Sequence, residues 1–412
     1  MFRFIAADLK RHWVGVAVVA LIIALATALG VAVTLQERAL RVGSARAAQA
    51  FDLVVGAPGS ETQLVLSSVF LQVAPLPLMP GSVLAGLIRD PRVAWAAPIG
   101  FGDFAGDSPI VGTTPELLTG VGGIGEGEPF RRLGEAVAGA FAQQEIGSRI
   151  TPLHGRLHEG GQPHAAVQYT VAGRLKPTGT PWDRAILVPI QTVWAVHHHE
   201  DEEETTSGAH EDDEAEAHLD PAALIDPAAL SAADAPGLPS ILVKPKTIAD
   251  AYKLRQEYRS EKTLAVFPGE VLTRLYGTLG DARRVLAAVA AGAQALVAAA
   301  ILLVVIVHIL QRRRQIGALR AFGASRAVVF GIVWSETFAI IGTGVLAGFG
   351  LGWLVARTAS ALLAEQSGVS MPVSFVGEDW LSVAAFFAAT AFIALVPSML
   401  AYRQSPAEAL RA

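Results

Sequence analysis

The chain has 412 residues, 52% hydrophobic and only 17% charged, where soluble proteins carry about a quarter charged residues, so an integral membrane protein with a sizeable soluble part is expected. It has no cysteine, which excludes a disulfide framework and a thiolate metal site. The formal net charge of −5 is local: 11 of the 37 acids lie between Glu200 and Asp220 with no base among them, against 32 bases in the whole chain, and nothing points to nucleic acid as a partner.

Residues 1–12 are a short basic N-terminus, and 13–35 are free of charge for long enough to cross a bilayer. Ala26-Thr27-Ala28 has the form of a signal-cleavage site. The apolar run continues through Gly30, Val31, Ala32 and Val33, so an uncleaved anchor with its N-terminus inside is expected.

Residues 36–284 change to mixed polarity and suffice for one large or two small domains. Strand-like runs occur at Phe51–Val55, Val93–Pro98, Tyr169–Val171, Ala185–Ile190, Ile241–Val243 and Leu264–Phe267. Helical spacing occurs at Glu61–Val73, Gly134–Gln144 and Thr247–Tyr258, the last with Thr247 and Asp250 as a capping pair. Pro268-Gly269 opens a further helix aimed at the second span. The expected fold is an α-helical membrane protein with four transmembrane helices and a large α+β extracytoplasmic domain between the first and second.

The later spans are expected at 285–310, 327–356 and 380–402, with an outer loop at 357–379 and a cytoplasmic tail at 403–412. The bases cluster on one side, so both termini are expected in the cytoplasm and the large domain outside, which is the periplasm if the cell is Gram-negative. Glu336 falls within the third span, where a carboxylate is costly; bonding between helices fits it better than ion transport, since one acid makes a poor proton relay. Gly342, Gly344, Gly348, Gly350 and Gly352 give that span a small-residue face, which serves packing within one subunit as well as dimerisation. His308, near the inner end of the second span, needs no role.

Residues 311–326 carry five arginines and no acid between two apolar runs. Ile316, Leu319 and Phe322 recur every third position, Gly323 can end a short helix and Ser325 can cap the next. A cytoplasmic amphipathic helix that meets a soluble partner is one reading; an ordinary basic loop is the other. The chain closes on Ser405-Pro406-Ala407-Glu408, a helix start.

Taken together, these motifs resemble the FtsX/MacB/LolC-type permeases of ABC transporters, the mechanotransmission class. The likeness rests on Arg312–Ser325, on Glu336 with the glycines after it, on the terminal S-P-A-E-A-L-R, and on Phe51-Asp52-Leu53-Val54-Val55-Gly56 and Lys176-Pro177-Thr178-Gly179-Thr180-Pro181 in the outer domain. It implies a multi-pass inner-membrane protein, a permease homodimer bound to a cytoplasmic ABC ATPase, with 311–326 as the coupling helix and Arg313, Arg314, Gln315, Ile316, Leu319, Arg320, Phe322 and Gly323 as its docking residues. Gln315 stands where the family commonly has glutamate. No phosphate-binding loop G-x-x-x-x-G-K-[ST] occurs in the chain, so ATP with magnesium is expected on the partner and no catalytic role here. Family substrates include lipoproteins, peptides, macrolides and cell-wall hydrolase regulators. Export or extraction of a periplasmic or outer-membrane substrate is the first expectation, with a periplasmic or lipoprotein partner. The alternatives are a non-transporting regulator of a periplasmic enzyme and a metal-sensing receptor.

His197, His198, His199, His210 and His218 sit among the acids of 197–220. Nothing apolar there forms a core, so a disordered insert is expected. Its imidazoles and carboxylates suit zinc, nickel or copper. Weak zinc capture and a link to zinc homeostasis is one reading, a solvated acidic loop the other. His154, His158 and His164 flank glycines and read as a polar hairpin before a metal patch.

Overall fold

The computed structural model describes residues 2–72, 74–154, 162–163, 167–197, 220–232, 235–277 and 320–403, together with residues 288, 292, 295, 299, 302 and 318. The chain forms two compact units, one of Met1–Leu40, Leu279–Leu362 and Met371–Ala412, the other of Arg41–Thr278 with Leu363–Ser370. In chain order the helices are α1 (Phe2–Arg11), α2 (Trp13–Ala47), α3 (Glu61–Phe70), α4 (Ser82–Arg89), α5 (Pro115–Gly120), α6 (Ile190–His197), α7 (Ile248–Glu257), α8 (268–277), α9 (Arg326–Ser367), α10 (Gly377–Ile393) and α11 (Leu395–Arg403).

The second unit is built on a sheet. Its strands are β1 (Leu53–Gly56), β2 (Val93–Ala105), β3 (Ser108–Thr113), β4 (Ile124–Gly127), β5 (Glu135–Ala138), β6 (Arg149–Ile150), β7 (Leu153–His154), β8 (Gln162–Pro163), β9 (Tyr169–Leu175), β10 (Ile186–Pro189), β11 (Ser240–Pro245) and β12 (Leu264–Val266). The main path runs β12-β1-β11-β2-β3-β10-β5-β9-β4. Pairing is antiparallel except between β3 and β10 and between β5 and β9. All six expected strand runs hold a strand.

The pleat explains why β1 and β11 read as unbroken apolar runs. Alternate side chains point to opposite faces, and here both faces are covered. Val54 and Leu242 join Leu64, Val65 and Val69 of α3 in one core. Leu53, Val55, Ile241 and Val243 join Leu84 and Leu87 of α4 and Leu254 of α7 in the other. The layering is therefore α3, sheet, then α4 and α7. Helix α7 begins at the expected cap, with Thr247 Oγ1 accepting from the Asp250 N–H at 3.1 Å. An α+β domain inserted after the first long helix matches the expectation.

One expected helix is a strand. Residues 134–144 contain β5, whose Ala136, Val137 and Ala138 are fully buried between β10 and β9. Apolar spacing over so short a run does not separate helix from buried strand, and the tertiary site decides. A Cβ on Gly139 would stand 2.3 Å from the Trp182 carbonyl oxygen, so the chain must pass there without a side chain. The expected hairpin at the histidines of 154–164 is present where described: Leu153 pairs with Pro163 and His154 with Gln162.

In the first unit, three helices among the described residues are long and apolar enough to cross a membrane: Trp13–Ala47, Arg326–Ser367 and Gly377–Leu400. The expected second span, 285–310, lies outside the described residues apart from the helical positions 288, 292, 295, 299 and 302. Both α2 and α9 outrun their expected spans. Helix α2 continues past 35 to Ala47, and α9 continues past 356 to Ser367, so the loop expected over 357–379 shrinks to 368–376. The extra turns of α9 carry polar residues but no helix breaker before Gly368 (φ 71°). The last helix breaks at Ala394, one turn before Pro397, whose ring cannot tolerate a helical carbonyl four residues earlier.

The outward face of α2 is as apolar as its packed face. Val14, Val18, Leu21, Leu25 and Leu29 are exposed, whereas Ile23, Ala24, Ala28, Val31 and Leu35 are buried. A helix apolar all round belongs in lipid or in a large core.

Candidate coupling site

Of the residues expected to dock a partner, Arg313, Arg314, Gln315, Ile316 and Leu319 lie outside the described residues, and Arg320, Phe322 and Gly323 lie within them. The described end is a helical turn that closes as its sequence requires. The Phe322 N–H donates to the Ala318 carbonyl at 2.9 Å and the Gly323 N–H to that of Arg320 at 3.0 Å. Gly323 then takes φ 98°, a left-handed conformation that costs glycine little. Ser325 opens α9: its Oγ accepts from the Val328 N–H at 3.3 Å. Both assignments, the glycine stop and the serine cap, follow the sequence.

Phe322 is 92% exposed. A phenylalanine in that state leaves well over 100 Å² of apolar surface uncovered. It stands between Arg320 and Arg326 in sequence, and Arg326 lies over the Tyr402 ring at 5.9 Å. Tyr402 in turn meets Phe330 edge-on at 6.5 Å. The root of α9 is thus tied to α11 by an aromatic and cationic contact that the spacing of apolar residues did not reveal.

Above this root, glycines fix the distance between α9 and α2. A Cβ at Gly344 would meet Ile23 Cβ at 2.7 Å, one at Gly348 would meet Thr27 Cβ at 2.5 Å, and one at Gly352 would meet Val31 Cβ at 2.8 Å. The same three positions face the carbonyl oxygens of Ala20, Ala24 and Ala28 at 2.8 to 2.9 Å. This is a small-residue stripe every four positions, the arrangement that lets membrane helices approach closely. Gly342 instead faces Phe387 at 3.3 Å, and Gly350 faces open space. Gly344, Gly348 and Gly352 thus pack against Ile23, Thr27 and Val31 of the same chain. Glu336 is half-buried on α9 and engaged with a neighbour.

At the opposite end of the helices, Arg38 of α2 grips Asp379 of α10 with two parallel hydrogen bonds, 2.7 and 3.0 Å. Asp379 also accepts from the Val376 N–H at 2.7 Å, capping its own helix. Sequence reading missed this pair, because 341 residues separate its members. Of the expected metal ligands, His197 ends α6 and His198, His199, His210 and His218 lie outside the described residues. Among the described residues no group of three candidate ligands comes together.

Residues 287–406 match the family profile of the FtsX-like permease C-terminal domain. No curated protein matches the chain. Solved structures similar to it include two outer domains of transporters. The periplasmic region of MacB from Actinobacillus actinomycetemcomitans is 9% identical over 56% of this chain and 95% of its own, with a TM-score of 0.30. The extracellular domain of the noncanonic ABC-type transporter YknZ from Gram-positive bacteria is 12% identical over 52% of this chain and 98% of its own, with a TM-score of 0.28.

Proposed function

Over residues 287–406 the chain belongs to the FtsX-like permeases, and from that premise we propose that it is the membrane subunit of an ABC transporter, driven by a separate cytoplasmic ATPase through residues 311–326. Permeases of this family work with such a partner and are multi-pass proteins of the inner membrane. The observation that carries the reading is Phe322: a large apolar side chain, 92% exposed, within an arginine-rich turn inside the matched region. In this reading Ile316, Leu319 and Phe322 enter an apolar groove of the ATPase, and the arginines set orientation and rate of encounter. ATP binding draws two permease copies together and moves the α+β domain on the periplasmic side, extracting or exporting a substrate there. Both termini are cytoplasmic in this arrangement.

Co-purification from native membranes tests the docking. The wild-type chain is expected to bring down an ATP-hydrolysing subunit, and Phe322→Asp to lose it at least tenfold. Retention by both Phe322→Asp and Leu319→Asp refutes the docking assignment. Side assignment is tested separately. Single cysteines at Ser231 and Arg313, in a chain with none of its own, should label from opposite faces of intact cells; labelling from one face ends the permease topology.

A second reading adds metal to the first. Five histidines among the acids of 197–220 favour weak zinc capture and a role in zinc homeostasis. Calorimetry of the full chain with zinc, with and without 197–218, separates this from a solvated loop; indistinguishable titrations remove it.

A further inference from the structure

The Lys176–Arg184 segment has a use that the family match does not reach, since it lies outside 287–406. All the contacts that follow fall within the sheet-bearing unit. The segment is folded around a carboxylate. Asp183 is fully buried and accepts from the Thr178 N–H at 2.8 Å, the Thr178 hydroxyl at 2.8 Å and the Gly179 N–H at 2.7 Å. Its neighbour Trp182 is buried in the main core. Immediately afterwards the chain enters β10, whose four residues are all buried.

The outer side of this loop receives the end of α9. The Ser370 N–H donates to the Gly179 carbonyl at 2.9 Å. The Arg184 guanidinium donates to the Glu365 carbonyl, one of the last acceptors of that helix. Gly368 turns with φ 71° against the loop, and a Cβ there would stand 3.0 Å from Pro181 Cα. Polar backbone bonds and a side-chain-free turn thus hold residues 365–370 on a loop whose own shape is set by a buried charge. Such a loop resists deformation, because moving Asp183 off its three donors leaves a charge buried without partners.

We propose that Lys176–Arg184 is a socket for the end of α9, and that Arg184 and Gly179 are the positioning residues through which this helix pulls on β10. The proposal rests on the reading that membrane helices drive the domain. Helix α9 is continuous from Arg326 to Ser367.

Cross-linking tests the seat. A Cβ built at Gly179 lies 3.1 Å from Ser370 Cβ, near the separation of about 3.5–4.5 Å that a disulfide spans. Gly179→Cys with Ser370→Cys, in the full chain in membranes, should cross-link in most molecules under mild oxidant; yield no higher than for a Gly179→Cys, Ser231→Cys control overturns the socket. Hydrogen exchange gives a test free of new side chains at the turn. In the full chain in nanodiscs, Arg184→Ala should speed exchange at Ser370 at least tenfold, and unchanged exchange overturns the proposal. Load transfer has its own readout. With the ATPase present, the ATP-dependent change in exchange over 186–197 should fall at least fivefold in Arg184→Ala and return in Arg184→Lys. A full response in Arg184→Ala refutes the positioning role. A wild-type chain with no ATP response sinks the permease reading, while the seat still stands or falls on the cross-link.

Discussion

Replacing Gly348 by alanine tests whether the α2–α9 distance is fixed by missing side chains. The new Cβ would lie 2.5 Å from Thr27 Cβ and 2.8 Å from the Ala24 carbonyl oxygen. Carbon atoms pack best about 3.5–4.0 Å apart, so the helices must separate by about 1 Å. The gap opens along the whole stripe and forfeits a quarter to a half of each contact's attraction. Overpacking of this kind costs about 1–3 kcal/mol. Against it, alanine is favoured over glycine in a helix interior by about 1 kcal/mol. Clash and propensity oppose each other at Gly348, whereas at Gly350, where nothing lies within 4 Å, only propensity acts. The expected order of stability is Gly350→Ala at or above wild type, then wild type, then Gly348→Ala, with Gly348→Leu lowest, about 3 kcal/mol or more below wild type. Unfolding midpoints of the full chain in mixed micelles measure the order. A Gly348→Ala variant as stable as Gly350→Ala would show that the stripe does not set the spacing.

Other perturbations follow from single contacts. Arg38→Ala removes both bonds to Asp379 and leaves a mostly covered carboxylate without its cation; a loss of about 1–3 kcal/mol is expected in the same unfolding assay, and Arg38→Lys should recover only part, since one ammonium cannot bind both oxygens in parallel. In the sheet-bearing unit the Asp90 carboxyl is held below its ordinary range, chiefly by the hydrogen bond from Arg92. Its folded pKa is depressed, so its stabilisation is complete above the unfolded value of about 4 and is lost as pH falls through the folded value. Melting temperature followed from pH 6 to pH 2 should drop more steeply in wild type than in Arg92→Leu; parallel curves would refute the assignment. Thr247→Ala removes the cap of α7 and should cost about 1 kcal/mol.

The sequence carried local signals well and distant ones poorly. The strands β1 and β11 were legible because burial on both faces demands an unbroken apolar run, and Thr247, Gly323 and Ser325 because caps and stops act through their own backbone neighbours. The segment around β5 reads both ways because alanines and valine at helical spacing also suit a strand crowded on both faces, and only the pairing with β9 and β10 decides between them. The ends of α2 and α9 lie beyond the expected spans because hydropathy marks only where a bilayer could end. A helix ends only where its backbone is stopped, for α9 at Gly368.

The site shows the same division. The glycines at 344, 348 and 352 announced a packing face, yet their partners Ile23, Thr27 and Val31 lie more than 300 residues away and look like any apolar span. Arg38 with Asp379 and Arg184 with the end of α9 leave no trace in local spacing, since each needs the fold to bring distant segments together. The reverse holds for Phe322. Its place in a three-residue apolar period within an arginine-rich loop is readable before any fold, and the fold leaves the Phe322 ring itself exposed. A large apolar side chain left in the open is the feature a partner is expected to cover, which is why the docking variants probe the functional reading more directly than any substitution in the core.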